Sequence, residues 1–392
     1  MRYSPTCDLK EEVIRLEPIA PKSGVAMSQK REVTMVSSHP AYLRLIPNSP
    51  DRVKPSRVVA PDKPHDSFDS AFQSVEKLMK RIVTERVEGP LQGMVLEHLS
   101  TGGKFIRARI ALKAAMALGL DPARSVNMAA ACELLHNATL VHDDLQDGDT
   151  IRRGQPTVWV KHGKAQAINV GDVLLMLSTL ALENSPVDPQ TRWYLAAAMT
   201  RRATQTASGQ ALELSLLERG WLGRDTYLRA ARGKSGPFFA LPIEAAALSA
   251  GHSPGHARLL GDASLGLGAL YQVCDDILDI FGDKGRGQSG NDLREGKVSA
   301  LTVAHLETRP EDEPLLLETL LRPRDETSTQ EVNMWEECFK NEGALQGAQQ
   351  LAAELLSQVD REPALAGEPG LHALVSGTGQ KIIGPLSSVA SA

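Results

Sequence analysis

The sequence predicts an all-α protein, a large single-domain helical bundle. Alanine and leucine supply most of the apolar residues, which favours helix over sheet. Apolar residues recur at helical intervals in one segment after another, and no stretch alternates convincingly at period two. An N-cap residue followed by proline marks helix starts at Asp121-Pro122, Asp188-Pro189 and Ser253-Pro254. These signals imply roughly ten to twelve helices and no sheet, a count suited to a large bundle.

Composition sets the outer limits. A chain of 392 residues with 42% hydrophobic and 4% aromatic residues suits a globular protein. The net charge of -5 gives no reason to expect nucleic acid, while local arginine clusters point to a small anionic ligand. Cys7, Cys132, Cys274 and Cys338 are far apart and form no CxxC pair, so neither a disulfide framework nor a zinc site is indicated and a cytoplasmic setting is expected. The apolar run Val173 to Leu182 is too short to span a bilayer and reads as a core helix. The N-terminus lacks an apolar h-region, and Asp8, Glu11 and Glu12 argue against a transit peptide.

Residues 1–64 mix Pro, Ser, Lys and Arg without a sustained period and read as a disordered extension. The helical domain occupies 65–392. It opens with Phe68, Phe72, Val75, Leu78, Met79 and Ile82 at helical spacing, continuing to near Leu99. Ser328 and Glu331 have capping-box spacing ahead of a late helix. Beyond about Thr308 the helices are broken at Arg322-Pro323-Arg324 and again at 367–370, and no chemistry is identifiable there.

Two acidic segments dominate the rest. One contains Asp143, Asp144 and Asp147, the other Asp275, Asp276 and Asp279, each in the pattern DDxxD at the polar end of an apolar helical run. On a helix the first and third aspartates share a face and the middle one lies about 100° round. A single DDxxD is an ordinary solvated helix end; two of them, each trailed by basic residues, are not. Clustered carboxylates repel one another unless a cation screens them. Hard oxygen ligands suit Mg²⁺, which completes its shell with water and substrate phosphates. Two facing triplets would therefore cage a metal-bound diphosphate.

Basic motifs supply the complement. Thr101-Gly102-Gly103-Lys104-Phe-Ile-Arg107 joins a glycine turn to a helix start, where backbone N–H groups, Lys104 and Arg107 could take a diphosphate without metal. Arg152 and Arg153 follow the first triplet on a loop and can point to different sides, one toward each of two anions. Lys234-Ser235-Gly236 and Gly296-Lys297 add cations that would stabilise a departing diphosphate.

In this order the motifs resemble the trans-prenyl diphosphate synthases, the head-to-tail isoprenoid chain elongases, from about Asp66 to Leu306. The resemblance implies the isoprenoid-synthase bundle with a central active-site cavity, a homodimer, and condensation of isopentenyl diphosphate with an allylic diphosphate. It implies that Asp143, Asp144, Asp147, Asp275, Asp276 and, less directly, Asp279 hold three Mg²⁺ on the allylic diphosphate. Arg152, Lys234, Gln272 and Lys297 would contact that diphosphate. Gly103, Lys104, Arg107, His136 and Arg153 would bind isopentenyl diphosphate. Asp143, Asp144, Lys234, Ser235 and Asp275 would carry the chemistry, Ser235 standing where the family has threonine. Phe105 and Ala108 depart from the family's GGKRxRP, Glu213 replaces a preferred aspartate, and Gln288 falls near a family lysine that Arg286 could replace.

The resemblance also implies a ruler. The growing chain would run down the first triplet's helix past Ala138 and Thr139 toward Leu135, each turn of about 5.4 Å matching one isoprene unit. Small residues at 138 and 139 favour a C20 product, geranylgeranyl diphosphate, over C15 farnesyl diphosphate or a longer polyprenyl chain. A class I terpene cyclase would replace the second triplet with an Asn/Asp, Ser/Thr, Glu triad. A non-catalytic synthase subunit would lose aspartates from one triplet. Neither change is present.

Overall fold

Proline and glycine cut the apolar runs into helices. A computed structural model describes residues 64–220, 222–282 and 289–389. Residues 1–63, which hold nearly all of the expected extension, lie outside the described residues, as do Arg286 and Gln288. The first helical run is split at Glu88-Gly89-Pro90 into α1 (Pro64–Arg86) and α2 (Gly89–Ser100). α3 (Ile106–Ala117) follows. The Asp121-Pro122 signal starts a 3₁₀ turn, Pro122–Ser125, rather than the α-helix itself, and α4 (Val126–Gln146) begins directly after it.

A two-stranded ribbon, β1 (Ile151–Arg152) paired antiparallel with β2 (Gln155–Pro156), corrects the expectation of no sheet. Two-residue strands are too short to alternate visibly. The connecting residues Arg153 and Gly154 both have positive φ, 53° and 74°, as a tight type I′ hairpin turn demands.

Next come α5 (Val158–His162), α6 (Lys164–Leu180), α7 (Pro189–Ser215), α8 (Arg224–Ser235), α9 (Pro237–Ser249), α10 (Pro254–Asp262) and α11 (Gly266–Phe281). Asp188 and Ser253 cap α7 and α10 as their positions before proline predict. The chain closes with α12 (Asn291–Arg294), α13 (Ala300–Thr308), α14 (Glu313–Leu320), α15 (Thr329–Asn341), α16 (Ala344–Asp360), α17 (Pro369–Ile383) and α18 (Leu386–Val389). Ser328 and Glu331 form the expected capping box on α15. Eighteen α-helices among the described residues exceed the expected number because several, such as α5 and α12, are single turns.

Two apolar clusters hold the helices together. One joins α1 to α4, α6, α7 and α9 through residues such as Val75, Leu112, Leu134, Leu174 and Phe239. The other joins α11 to α13–α16 through Leu270, Ile277, Leu301, Trp335 and Phe339. α11 serves both, since Leu267 belongs to the first cluster and Val273 to the second. It is the spine against which both halves pack. Between α7, α9 and α10 a buried ionic knot adds direction: Arg202 lies 2.7 Å from Glu244 and 2.6 Å from Asp262.

The Val173 to Leu182 run is a core helix on one face only: Leu174, Leu177 and Ser178 are buried, while Leu175, Met176 and Leu180 are exposed. No described helix is long and apolar enough to cross a membrane.

Candidate active site

A cavity of about 660 Å³ opens between the polar ends of α4 and α11. From α4 it is lined by His136, Thr139, Leu140, Asp143 and Asp147, one helical face. From α11 it is lined by Tyr271, Gln272 and Asp275. Asp143 and Asp147 of the first triplet therefore line the same cavity as Asp275 of the second.

The other three aspartates of the two triplets do not line it. Asp144 turns, with Arg152, into an adjoining recess of about 310 Å³ lined also by Glu97 and His98. Asp276 is buried and spends both oxygens inside the fold. It accepts from Tyr227 Oη at 2.6 Å, Gln272 Nε2 at 2.8 Å and the Ala300 N–H at 2.7 Å. Asp279 is buried and accepts the Asp292 N–H at 3.0 Å. Asp276 and Asp279 thereby hold in place the segments that follow α11.

Three carboxylates to which sequence reasoning gave no role, Asp149, Asp292 and Glu295, join the lining instead. Asp149 follows its triplet by two residues and Glu295 stands between Arg294 and Lys297, so alternating charge was the only available signal.

Cations are set among these acids. Lys234 pairs with Glu213, and Lys297 Nζ lies 2.8 Å from Asp147 Oδ2 and 2.7 Å from Glu295 Oε2. Burial opposes charge on both lysines, but the surrounding carboxylates outweigh it and raise both pKa values, that of Lys297 well above the ordinary range. Lys234 and Ser235 owe their position to backbone contact on both sides. A Cβ on Gly209 of α7 would sit 2.1 Å from Lys234 N, and one on Gly268 of α11 only 2.1 Å from Gly236 N. Ser235 Oγ donates to Gln272 Oε1 at 3.4 Å.

Burial pushes Asp143 up to about 6 despite Lys234, and Asp144 up to about 7 despite Arg152. Asp147 is held below the usual range because Lys297 and Lys234 overcome its burial. Burial thus prevails at Asp143 and Asp144, whereas at Asp147 the two lysines prevail.

The basic side lies toward α3. Lys104 precedes the helix rather than sharing its face with Arg107, because Phe105 takes the left-handed N-cap position at φ 47°. Both still line the cavity. Arg107 is buried, its Cζ 5.4 Å from the Phe239 ring centroid and 5.7 Å from that of Phe238, with Nε lacking a hydrogen-bond partner. The expected free N–H at the start of α3 is partly taken: Ala108 N donates to Glu133 Oε2 at 3.0 Å.

Arg153 donates to the Gly102 carbonyl, and its guanidinium packs where a Cβ on Gly103 would lie, 2.7 Å away. Arg152 and Arg153 thus diverge, one to each side of the hairpin. His136 packs edge-on against Phe238, and burial followed by Arg107 depresses its pKa well below the usual value, so it is neutral.

Of the chain-length candidates, Thr139 lines the cavity, whereas Ala138 and Leu135 are packed in the core. From the same stretch of α4, Leu140 and His136 also line the cavity.

The C-terminal region, read as silent, also reaches the site. Arg324, in the connection between α14 and α15, donates Nη1 to the Asp147 carbonyl at 2.7 Å and lies 2.9 Å from Glu295 Oε1. Its pattern, Arg-Pro-Arg at a helix break, carries no signal of this contact.

The family model described as polyprenyl synthetase matches residues 89–339. The short chain isoprenyl diphosphate synthase of Methanothermobacter thermautotrophicus is 33% identical over 69% of this chain and 86% of its own length. The geranylgeranyl diphosphate synthase of Sulfolobus acidocaldarius is 34% identical over 63% of this chain and 77% of its own. A polyprenyl synthase from Caulobacter crescentus, solved with calcium and isoprenyl diphosphate, superposes with a TM-score of 0.69 at 27% identity, covering 80% of this chain and 94% of that one. A match across most of the helical region, together with the archaeal relative's identity over two thirds of the chain, establishes that the chain belongs to the polyprenyl synthetase family.

Proposed function

We propose that this protein is a prenyltransferase that condenses isopentenyl diphosphate head to tail with allylic diphosphates, and that its main product is the linear C20 geranylgeranyl diphosphate. One observation carries the reading: Asp143, Asp147 and Asp275 line the same cavity as Lys104, Arg107 and Arg153, giving one acidic and one basic side within a single space. Relatives named geranylgeranyl diphosphate synthase support the product.

The donor set of the acidic side fits Mg²⁺. It is built of hard carboxylate oxygens that line one cavity, the kind of donor this ion takes. Asp143, Asp147 and Asp275 would hold the ions directly, three being expected, while Asp144, Asp276 and Asp279 brace the residues around them. When bound, Mg²⁺ offsets charge on the allylic diphosphate and makes it a better leaving group. Lys234, Gln272, Lys297 and Arg152 would grip that diphosphate and stabilise the charge it gains as the carbon–oxygen bond breaks. Lys104, Arg107, Arg153 and neutral His136 would hold isopentenyl diphosphate so that its double bond meets the cationic allylic carbon, with Thr139, Leu140, Phe238 and Tyr271 as neighbouring walls. The new carbon–carbon bond leaves a cation that loses a proton, and the departing diphosphate would accept it. No side-chain nucleophile is required.

The synthase domain is assigned to 65–392, with 1–64 as an extension, and the protein is assigned to the cytoplasm. A homodimer is supported by Ile168, Leu175, Met176 and Leu180, which leave an apolar stripe on α6 open to a second copy. Purified protein incubated with Mg²⁺, labelled isopentenyl diphosphate and allylic diphosphates of increasing length should release linear prenyl diphosphates ending at C20. Cyclic hydrocarbon, or no turnover with any primer, would overturn the assignment.

A further inference from the structure

We propose that His252, His256 and Glu368 form a structural site for a divalent ion of the zinc class, separate from the carboxylate cavity. His252 lies in the turn after α9, His256 in the first turn of α10, and Glu368 immediately before α17. Their ligand atoms all fall within 4.8 Å of one another. His252 Nε2 is 4.0 Å from Glu368 Oε1, and the two imidazole centroids are 5.1 Å apart at an interplanar angle of 32°. A tetrahedral ion with bonds of about 2.0–2.2 Å separates its ligand atoms by about 3.3–3.6 Å. Side-chain shifts of about 1 Å would close the set around an ion.

Two details favour an ion over a casual surface cluster. Glu368 occupies the N-cap position of a 15-residue helix, yet its carboxylate makes no capping bond and faces His252 instead. Among the described residues no lysine or arginine pairs with Glu368. A second group, His305, Asp312 and Glu342, shows the contrast. That group is equally close, but Arg309 stands 3.8 Å from Asp312 and 3.3 Å from Glu342 and already supplies the positive charge. Two imidazoles and one carboxylate suit zinc, nickel or cobalt, whereas Mg²⁺ favours oxygen alone. His256 is exposed, which gives the ion access and leaves a fourth position to water.

The consequence is mechanical. α17 packs on α3 and α11, the helices that carry Arg107 and Asp275. Its first turn is seated tightly: a Cβ on Gly370 would lie 3.1 Å from Ala117 Cβ at the end of α3. An ion joining Glu368 to the α9–α10 turn would pin this end of α17, raising stability without touching the chemistry.

The test uses the full-length, metal-stripped protein with Mg²⁺ and inorganic diphosphate in excess, so that the carboxylate cavity is occupied. Equilibrium dialysis with Zn²⁺, and Co²⁺ titration followed by visible absorption, should show one tightly bound ion per chain and a rise in Tm. His256→Ala and Glu368→Gln should each weaken binding by at least about tenfold, the loss that even outer-shell changes reach, and abolish the Tm rise. Prenyl transfer with Mg²⁺ should be unchanged in both. Absence of Zn²⁺ binding by the wild type, or equal binding by the variants, would overturn the site; neither result bears on the synthase assignment.

Discussion

Lys297 Nζ lies 2.8 Å from Asp147 Oδ2, an ion pair between residues 150 positions apart. It ties the end of the first acidic helix to the segment that follows the second, and the same ammonium reaches Glu295 at 2.7 Å. With its pKa raised well above the ordinary lysine value, Lys297 is a fixed cation at neutral pH.

Lys297→Met should therefore be costly twice. Asp147 and Glu295 lose their shared partner, and breaking a buried pair destabilises by about 3–5 kcal/mol, with the lower end expected because the lysine side chain is 23% exposed. A cation facing the departing diphosphate is also removed, so kcat/KM should fall roughly a hundredfold. Denaturant titration and steady-state kinetics measure the two effects separately. Unchanged turnover would exclude Lys297 from the chemistry.

Product length should answer to Thr139. Phenylalanine there enters the cavity directly and should shift the main product from C20 to C15 or shorter, as read by chromatography of the dephosphorylated alcohols. Ala138 is 2% exposed and packed in the core, so Ala138→Phe should first displace neighbours and destabilise by about 1–3 kcal/mol, a penalty that Thr139→Phe avoids. If Thr139→Phe leaves the product at C20, the cavity face of α4 does not set chain length.

His98 gives the acid limb of stability a specific origin. Burial, followed by the charges of Arg153 and Arg152, lowers its pKa from 6.5 to about 4. The unfolded chain takes up a proton near 6.5 that the folded one refuses, so this contribution is complete above 6.5 and disappears as pH falls through about 4. It amounts to something on the order of 3 kcal/mol. Asp143 and Asp144 act in the opposite sense: their raised values favour the folded state at low pH, and that contribution is lost as pH rises through about 6 to 7. The clean measurement is the difference between wild type and His98→Gln in unfolding free energy from pH 7 to 4. The variant should lose less stability on acidification, and parallel curves would refute the assignment.

What the sequence disclosed and what it hid divide along physical lines. Period, caps and prolines are local, so α7, α10 and α15 were legible with their capping residues. The DDxxD spacing is also local and correctly separates Asp143 and Asp147 from Asp144, because helix geometry alone decides that. The second triplet does not obey the same rule. Asp279 is drawn inward by the Asp292 N–H and Asp276 by Tyr227, and both partners come from other segments. The Arg153-Gly154 hairpin leaves no trace in the sequence because two residues per strand give no alternation.

Arg324 is the sharpest case of long-range placement, 177 positions from the carbonyl it holds. By donating to the Asp147 backbone and lying near Glu295 and Asp149, it fixes the last turn of α4 against the loop beyond α11. Its side chain is 36% exposed, so Arg324→Gln should change global stability by less than about 1 kcal/mol. Its effect should fall on kcat, about tenfold or 1.4 kcal/mol in the barrier, because the freed turn carries Asp143 and Asp147 off their optimum. KM for isopentenyl diphosphate, which Lys104 and Arg107 would hold on the far wall, should stay constant. Arg324→Lys keeps the charge but loses the planar fork, and should recover part of the rate. If lysine does no better than glutamine, or if KM and kcat decline together with Tm, the residue merely supports the fold and does not position the acidic wall.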